Sequence, residues 1–190
     1  GFVSRVMVEN GESVRTGDPV MTITRKEQLL VEAYINQSDH NRIESIFDAH
    51  FRLPAGERTL TLLDLEGTIR SRNAFVNKTT TRIPVIFSVR NNGTLIPGMF
   101  LEVFLLTGRK DQALVVPLSA IVEEQGQYFV FVQAGGESFI KQQVVISGND
   151  GIRAEIESGI RPGDRIVTRG AMQIRLAAMA GDLPLHGHTH

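Results

Sequence analysis

Between Thr79 and Thr107 the chain runs through an alternation, a reversal and a second alternation, an order that few folds accept. Ile83, Val85, Phe87 and Val89 alternate with Pro84, Ile86, Ser88 and Arg90, the period of a strand. Asn91-Asn92-Gly93 follows, and these residues tolerate positive φ and allow the direction to reverse. Ile96-Pro97-Gly98-Met99 fits a type II turn, with Pro97 fixing φ at the second position and Gly98 supplying positive φ at the third. Met99, Leu101, Val103 and Leu105 then resume the alternation opposite Phe100, Glu102, Phe104 and Leu106. Both faces of this second strand are largely apolar, so each is expected to be covered. A small closed barrel with a neighbour packed outside would do so.

The rest of the chain points to several small β modules. It has 190 residues, 42% of them apolar, with 18 glycines and 7 prolines to serve many turns. A net charge of −1, from 20 basic and 21 acidic residues, gives no electrostatic case for nucleic acid. Without cysteine there is no disulfide framework and no thiolate metal site. No apolar run approaches the roughly 18 residues of a membrane-spanning helix. The opening Gly1-Phe2-Val3 begins within a strand pattern, so the sequence reads as a fragment with something upstream removed.

Read in order, strands are expected at 2–8 and 20–24, with turns at Asn10-Gly11 and at Thr16-Gly17-Asp18-Pro19. A strand at 29–35 leads into a short helix that Ser38 is placed to cap, with Ile43 and Ile46 facing inward. Further strands are expected at 51–54, 60–63 and 67–72, broken near Ala55-Gly56-Glu57 and at Asp64-Leu65-Glu66. A polar linker at 109–112 precedes strands at 113–121, 128–132, 139–146 and 152–156. A tight turn at Gly163 then feeds a last strand over 165–170.

The Thr-rich approach, the apolar strand ending near an Asn, Leu95-Ile96-Pro97-Gly98-Met99 and the second apolar strand together resemble the barrel domain of periplasmic adaptor proteins. These are the HlyD-like membrane fusion proteins of tripartite efflux systems of the resistance–nodulation–division (RND) type. The phrase from Val8 to Ile23, VENGESVRTGDPVMTI, resembles half of a lipoyl- or biotinyl-type domain. Val116-Pro117 with Ala120-Ile121, and the run from Glu155 to Val167, resemble the entry and closing motifs of the family's membrane-proximal domain. The resemblance implies a mainly β fold with short helices: the second half of a lipoyl-like (barrel-sandwich hybrid) domain at 1–26, a β-barrel at 27–107, a membrane-proximal β domain at 108–182 and a His-containing tail at 183–190. In such adaptors a long helical hairpin splits the lipoyl-like domain, and that hairpin would lie upstream of Gly1.

No catalytic constellation is legible: there is no Gly-x-Ser-x-Gly elbow, no His-Glu-x-x-His and no P-loop. The chain is expected to be non-enzymatic and to need no cofactor. His40 and His50 have no partner at ligand spacing and are read as surface or satisfied residues. His186, His188 and His190 stand at alternate positions, which an extended chain turns to one side. They could share Zn²⁺ or Cu²⁺, or simply form a tail without a ligand role. Met7, Met21, Met99, Met172 and Met179 show no clustering and are assigned to the core.

The resemblance further implies an adaptor that links an inner-membrane RND pump to an outer-membrane channel and exports metal cations or drugs. It would self-associate into a ring, often of six, in the periplasm, held to the inner membrane by an N-terminal anchor absent from this sequence. Loop residues Asn91, Asn92, Gly93, Pro97 and Gly98, with Gly159, Pro162, Gly163 and Asp164, are the expected partner contacts. An adaptor for an ATP-driven exporter is the nearest alternative. A biotinyl or lipoyl carrier fragment is the alternative from another class, and it wants a modifiable lysine at a hairpin tip. Lys26 instead follows the strand, beside Arg25 and Glu27.

Overall fold

A computed structural model describes residues 1–54, 56, 58–72, 81–136 and 138–181. The chain divides into two compact units, Gly1–Gly108 and the remainder from Arg109. The fold is mainly β in both.

The first unit opens on an antiparallel hairpin of β1 (Phe2–Val6) and β2 (Met21–Thr24). Its loop is built from two turns of one design. The Glu12 carboxylate accepts from the Glu9 N–H at 2.8 Å, and the Asp18 carboxylate accepts from the Arg15 N–H at 2.7 Å. Gly11 and Gly17 supply positive φ at each turn, as their positions in the sequence require.

Two three-stranded sheets then enclose one core. In the first, β3 (Gln28–Asn36) pairs with β7 (Arg82–Arg90), which pairs with β6 (Thr68–Arg72). In the second, β5 (Thr59–Thr61) pairs with β4 (Asp48–Arg52), which pairs with β8 (Glu102–Leu106). The alternation read along β7 holds residue by residue: Ile83, Val85, Phe87 and Val89 are buried and their neighbours are not. A 3-10 helix, Gln37–Ser45, covers one end through Ile43, and the following Ile46 is also buried.

Ser38 does not cap this helix. Asn36 is still extended at φ −68° and ψ 148°, the helix starts at Gln37, and no side chain makes a capping hydrogen bond there. The Ser38 hydroxyl turns to the Asp39 carboxylate instead. The helix is tied down elsewhere, by the Gln37 amide donating to Thr81 O at 3.0 Å and by Arg72 donating to Ile46 O.

The second unit is a five-stranded sheet in the order β10 (Val122–Glu124), β11 (Gln127–Gly135), β12 (Ser138–Asn149), β13 (Arg153–Ser158), β9 (Val115–Pro117). Register shifts in β12 between Val145 and Gly148 mark bulges, which bend a strand and let one sheet curl around a core. That core holds Val116, Ala120, Val130, Val144 and Ile156. The expected strand over 113–121 is cut short by a 3-10 turn, Leu118–Ala120.

The expected final strand is reduced to one bridge, Val132 with Ile166, flanked by hydrogen bonds from Gln133 N to Arg165 O and from Val167 N to Phe131 O. A helix that the sequence reading did not place, α1 (Ala171–Gly181), follows. Its alanine, leucine, methionine and glutamine content favours helix, and that signal was there to be read. Ala171 is buried with Val122 and Phe131, so α1 covers the face of β11 opposite the Val130 core.

The methionine assignment needs correction. Met99 packs partly buried against the barrel core, but Met7, Met21 and Met172 are 44%, 50% and 49% exposed. The reason is that the hairpin and the outer face of α1 have little packed over them within their own unit. The Met179 side chain lies outside the described residues.

Candidate partner-contact site

The loop from Asn91 to Leu101 leaves β7 and crosses to the other sheet, so the strands it joins are not hairpin partners. Asn91 organises the exit. Its side-chain oxygen accepts from Gly93 N at 3.1 Å and Leu95 N at 3.0 Å, and its amide donates to Leu95 O at 2.9 Å. Its backbone N–H donates to Glu27 O at 2.8 Å. Asn92 folds the next step by accepting from the Thr94 N–H and hydroxyl. Leu95 then plugs into the barrel core at 4% exposure.

The expected type II turn is present: Met99 N donates to Ile96 O at 3.0 Å and Gly98 has φ +87°. This stiff frame carries Ile96 at 67% and Phe100 at 92% exposure. The sequence reading put Phe100 on a covered strand face, but β8 begins only at Glu102, and Phe100 belongs to the loop. Its place directly after Pro-Gly-Met was the available signal. Phe104, on the outer face of β8, is covered by the Arg52 guanidinium 4.7 Å from its ring. Neither face of β8 is fully buried.

The second loop leaves β13. Gly159 has φ +110°, and a Cβ there would lie 2.2 Å from Gln143 O, so only glycine fits. Arg161 to Asp164 repeats the turn design of Arg15 to Asp18. The Asp164 carboxylate accepts from Arg161 N at 2.7 Å, Asp164 N donates to Arg161 O, and Gly163 sits at φ +98°. Ile160 anchors the loop in the core, while Arg161, Pro162, Gly163, Asp164 and Arg165 are exposed. The two loops belong to different units, and each presents a rigid backbone with exposed side chains.

Several charged groups among the described residues form surface pairs. Lys141 donates to Glu124, Arg175 Nε lies 3.1 Å from Glu124, and Lys110 donates to Glu155 at 2.6 Å. The lysine hydrogen bonds hold both carboxyls below the usual carboxylate range. Two hydrogen bonds from Thr61 do the same for Asp64. Among the described residues no three of His, Cys, Asp and Glu come together to hold a metal ion. His186, His188 and His190 lie outside the described residues. His40 Nδ1 lies 3.0 Å from Gln37 O on the helix, whereas His50 is buried in β4. Lys26 Nζ lies 3.9 Å from the Phe2 ring centroid, at the end of the hairpin away from its tip. No helix among the described residues is long and apolar enough to cross a membrane.

A hairpin, a small barrel and a curled sheet backed by a helix define a mainly β, multi-module protein. Residues 114–175 match the CzcB C-terminal circularly permuted SH3-like domain. The chain is 31% identical over 177 residues to the nickel-cobalt-cadmium resistance protein NccB of Alcaligenes xylosoxydans, covering 92% of this chain and 43% of NccB. It is 26% identical to the multidrug resistance protein MdtA of Erwinia amylovora, covering 100% of this chain and 48% of MdtA. ZneB from Cupriavidus metallidurans, a solved structure, is similar with a TM-score of 0.47 and 24% identity, over 89% of this chain and 48% of that one. Over nearly its whole length the chain is therefore similar to membrane fusion proteins, the adaptors of RND-type efflux systems. It spans less than half the length of the curated relatives it matches.

Proposed function

We propose that this chain is part of a non-enzymatic periplasmic adaptor that couples an inner-membrane RND pump to an outer-membrane channel for export of metal cations or drugs. The observation that carries this reading is collinearity: hairpin, barrel and SH3-like module follow in one order, and the match to a nickel-cobalt-cadmium resistance protein runs through 92% of the chain. The modules are 1–26, half of a lipoyl-like domain; 27–107, the barrel; 108–182, the membrane-proximal domain; and 183–190, the tail. The full-length protein forms a ring, on the order of six copies, attached to the inner membrane through an N-terminal anchor. Its mechanism is mechanical, with the energy supplied by the pump.

In this reading the loops 91–98 and 159–164 touch partner subunits, which suits their exposed, hydrogen-bonded frames. His186, His188 and His190 would capture a borderline cation transiently, which suits imidazole donors at alternate positions. The deciding experiment is a crosslinked pull-down of the full-length protein from its native membranes with mass spectrometry. The expected result is a proton-driven pump together with an outer-membrane channel. Recovery of an ATP-driven transporter would change the motor, and recovery of carboxylase or dehydrogenase subunits would overturn the reading.

A further inference from the structure

The barrel is laced along one seam and open along the other. At the laced seam, Leu62 N donates to Ala49 O, Gly67 N to Leu62 O and Arg90 N to Leu65 O, all within 3.0 Å. At the open seam, β3 pairs only with β7 and β8 only with β4. Among the described residues no hydrogen bond joins β3 to β8 or to the loop before it. A groove of about 600 Å³ lies there, lined by residues 29–34 of β3, the loop 95–101, Val103 and Leu105.

The free edge of β3 is guarded by a single charge, Glu32, and otherwise lacks the usual protection. Native edge strands are short, bulged, or carry lysine or proline. β3 has nine residues in unbroken register with β7, contains neither lysine nor proline, and displays Leu30 at 62% exposure. Ile96 and Phe100 stand exposed on the opposite wall. We propose that this seam receives an extended segment of a partner protein as an added β-strand.

A polypeptide is the occupant because an antiparallel edge offers a ladder of N–H and C=O groups, which another backbone satisfies repeatedly and an apolar small molecule does not. A second copy of this chain is disfavoured. Two-fold antiparallel pairing about the middle of β3 sets Glu32 against its own equivalent, and like charges directly opposite destabilise a sheet. The charges at the groove define the segment further. Glu32 lies midway along β3, and Arg82, paired with Asn36, lines the same groove. An antiparallel strand therefore matches with a basic residue opposite Glu32 and an acidic residue four positions earlier. Small β-branched residues between them would continue the inward face of Val31 and Ala33.

The test uses the 190-residue chain and a fluorescein-labelled peptide, Thr-Asp-Val-Thr-Val-Lys-Val-Thr, followed by fluorescence anisotropy. Saturable binding is expected. Of two peptides N-methylated on alternate residues, the one blocked on the side facing β3 should bind about tenfold or more weakly. Glu32→Lys should reverse the preference between this peptide and one with its Lys replaced by Glu, so that the Glu peptide becomes the tighter ligand, a change that unfolding cannot imitate. Absence of saturable binding by about 1 mM, the weak end of useful affinity, overturns the proposal. So does equal binding of both N-methylated peptides. Self-association in sedimentation that Glu32→Gln strengthens would assign the edge to a second copy and overturn it as well.

Discussion

Phe51 on β4 and Phe87 on β7 meet edge to face, with ring centroids 5.6 Å apart and planes at 82°. Both are fully buried, and they come from different sheets. The edge of one ring against the face of the other aligns opposite ends of their quadrupoles, and this pair sits in the core that the barrel's two sheets share.

Replacing either ring by alanine should cost about 3–5 kcal/mol, as transfer and cavity terms combine. A double-mutant cycle by urea denaturation should find a coupling of about 0.5–1.5 kcal/mol between the two sites. Additive losses would mean that the rings act only as separate core residues.

Gly159 and Gly163 both sit at positive φ, but only Gly159 has no room for a side chain. Gly163→Ala should destabilise by about 1–2 kcal/mol from backbone strain alone. Gly159→Ala should cost more, because β13 must move away from Gln143 O. Thermal denaturation of the two variants side by side checks the order.

Asn91 and Phe100 separate frame from display in the first loop. Asn91→Ala breaks three hydrogen bonds of a half-buried group and should lose about 1–3 kcal/mol. Phe100→Ser removes a side chain that the loop does not bury, and stability should hold within about 0.5 kcal/mol. In crosslinked assemblies of the full-length protein, Phe100→Ser should still weaken partner capture. Unchanged capture would remove Phe100 from the contact surface.

Asp64 accepts hydrogen bonds from the Thr61 N–H and hydroxyl, and these favour its charged form and lower its pKa on folding. The unfolded chain then binds the proton more readily, so stability rises with pH across the interval between the two values. The contribution is complete above the ordinary carboxylate range and is lost as pH falls through the lower, folded value. Asp64→Asn should therefore flatten the acid limb of a melting-temperature profile. An unaltered limb would assign acid sensitivity to other groups, Glu124 and Glu155 first, since their lysine partners shift them in the same direction.

Glu124 links β10 to β12 through Lys141 and to α1 through Arg175. Glu124→Gln should weaken the hold on the helix by up to about 1 kcal/mol, the scale of a partly exposed ion pair. Hydrogen exchange should quicken over 171–178 and stay unchanged in the buried centre of β11.

The sequence by itself determined what depends on local conformation. Strand periodicity placed β3, β7 and β11 to within a few residues, and Pro97-Gly98 and Gly163-Asp164 announced their turns, because alternation and φ preference belong to single residues and their neighbours. It also carried the order of modules on which the family resemblance rests. Only the tertiary structure decided which strands pair: β7 with β3 and β6, β8 with β4 across the barrel. It set Phe100 in solvent, freed three methionines from the core, ended the chain's last strand after one bridge and brought Gln143 against Gly159. The physical reason is common to all of these. An apolar alternation states that one face is to be buried, but the same pattern serves any neighbour, and the neighbour is chosen by contacts between residues far apart in the chain.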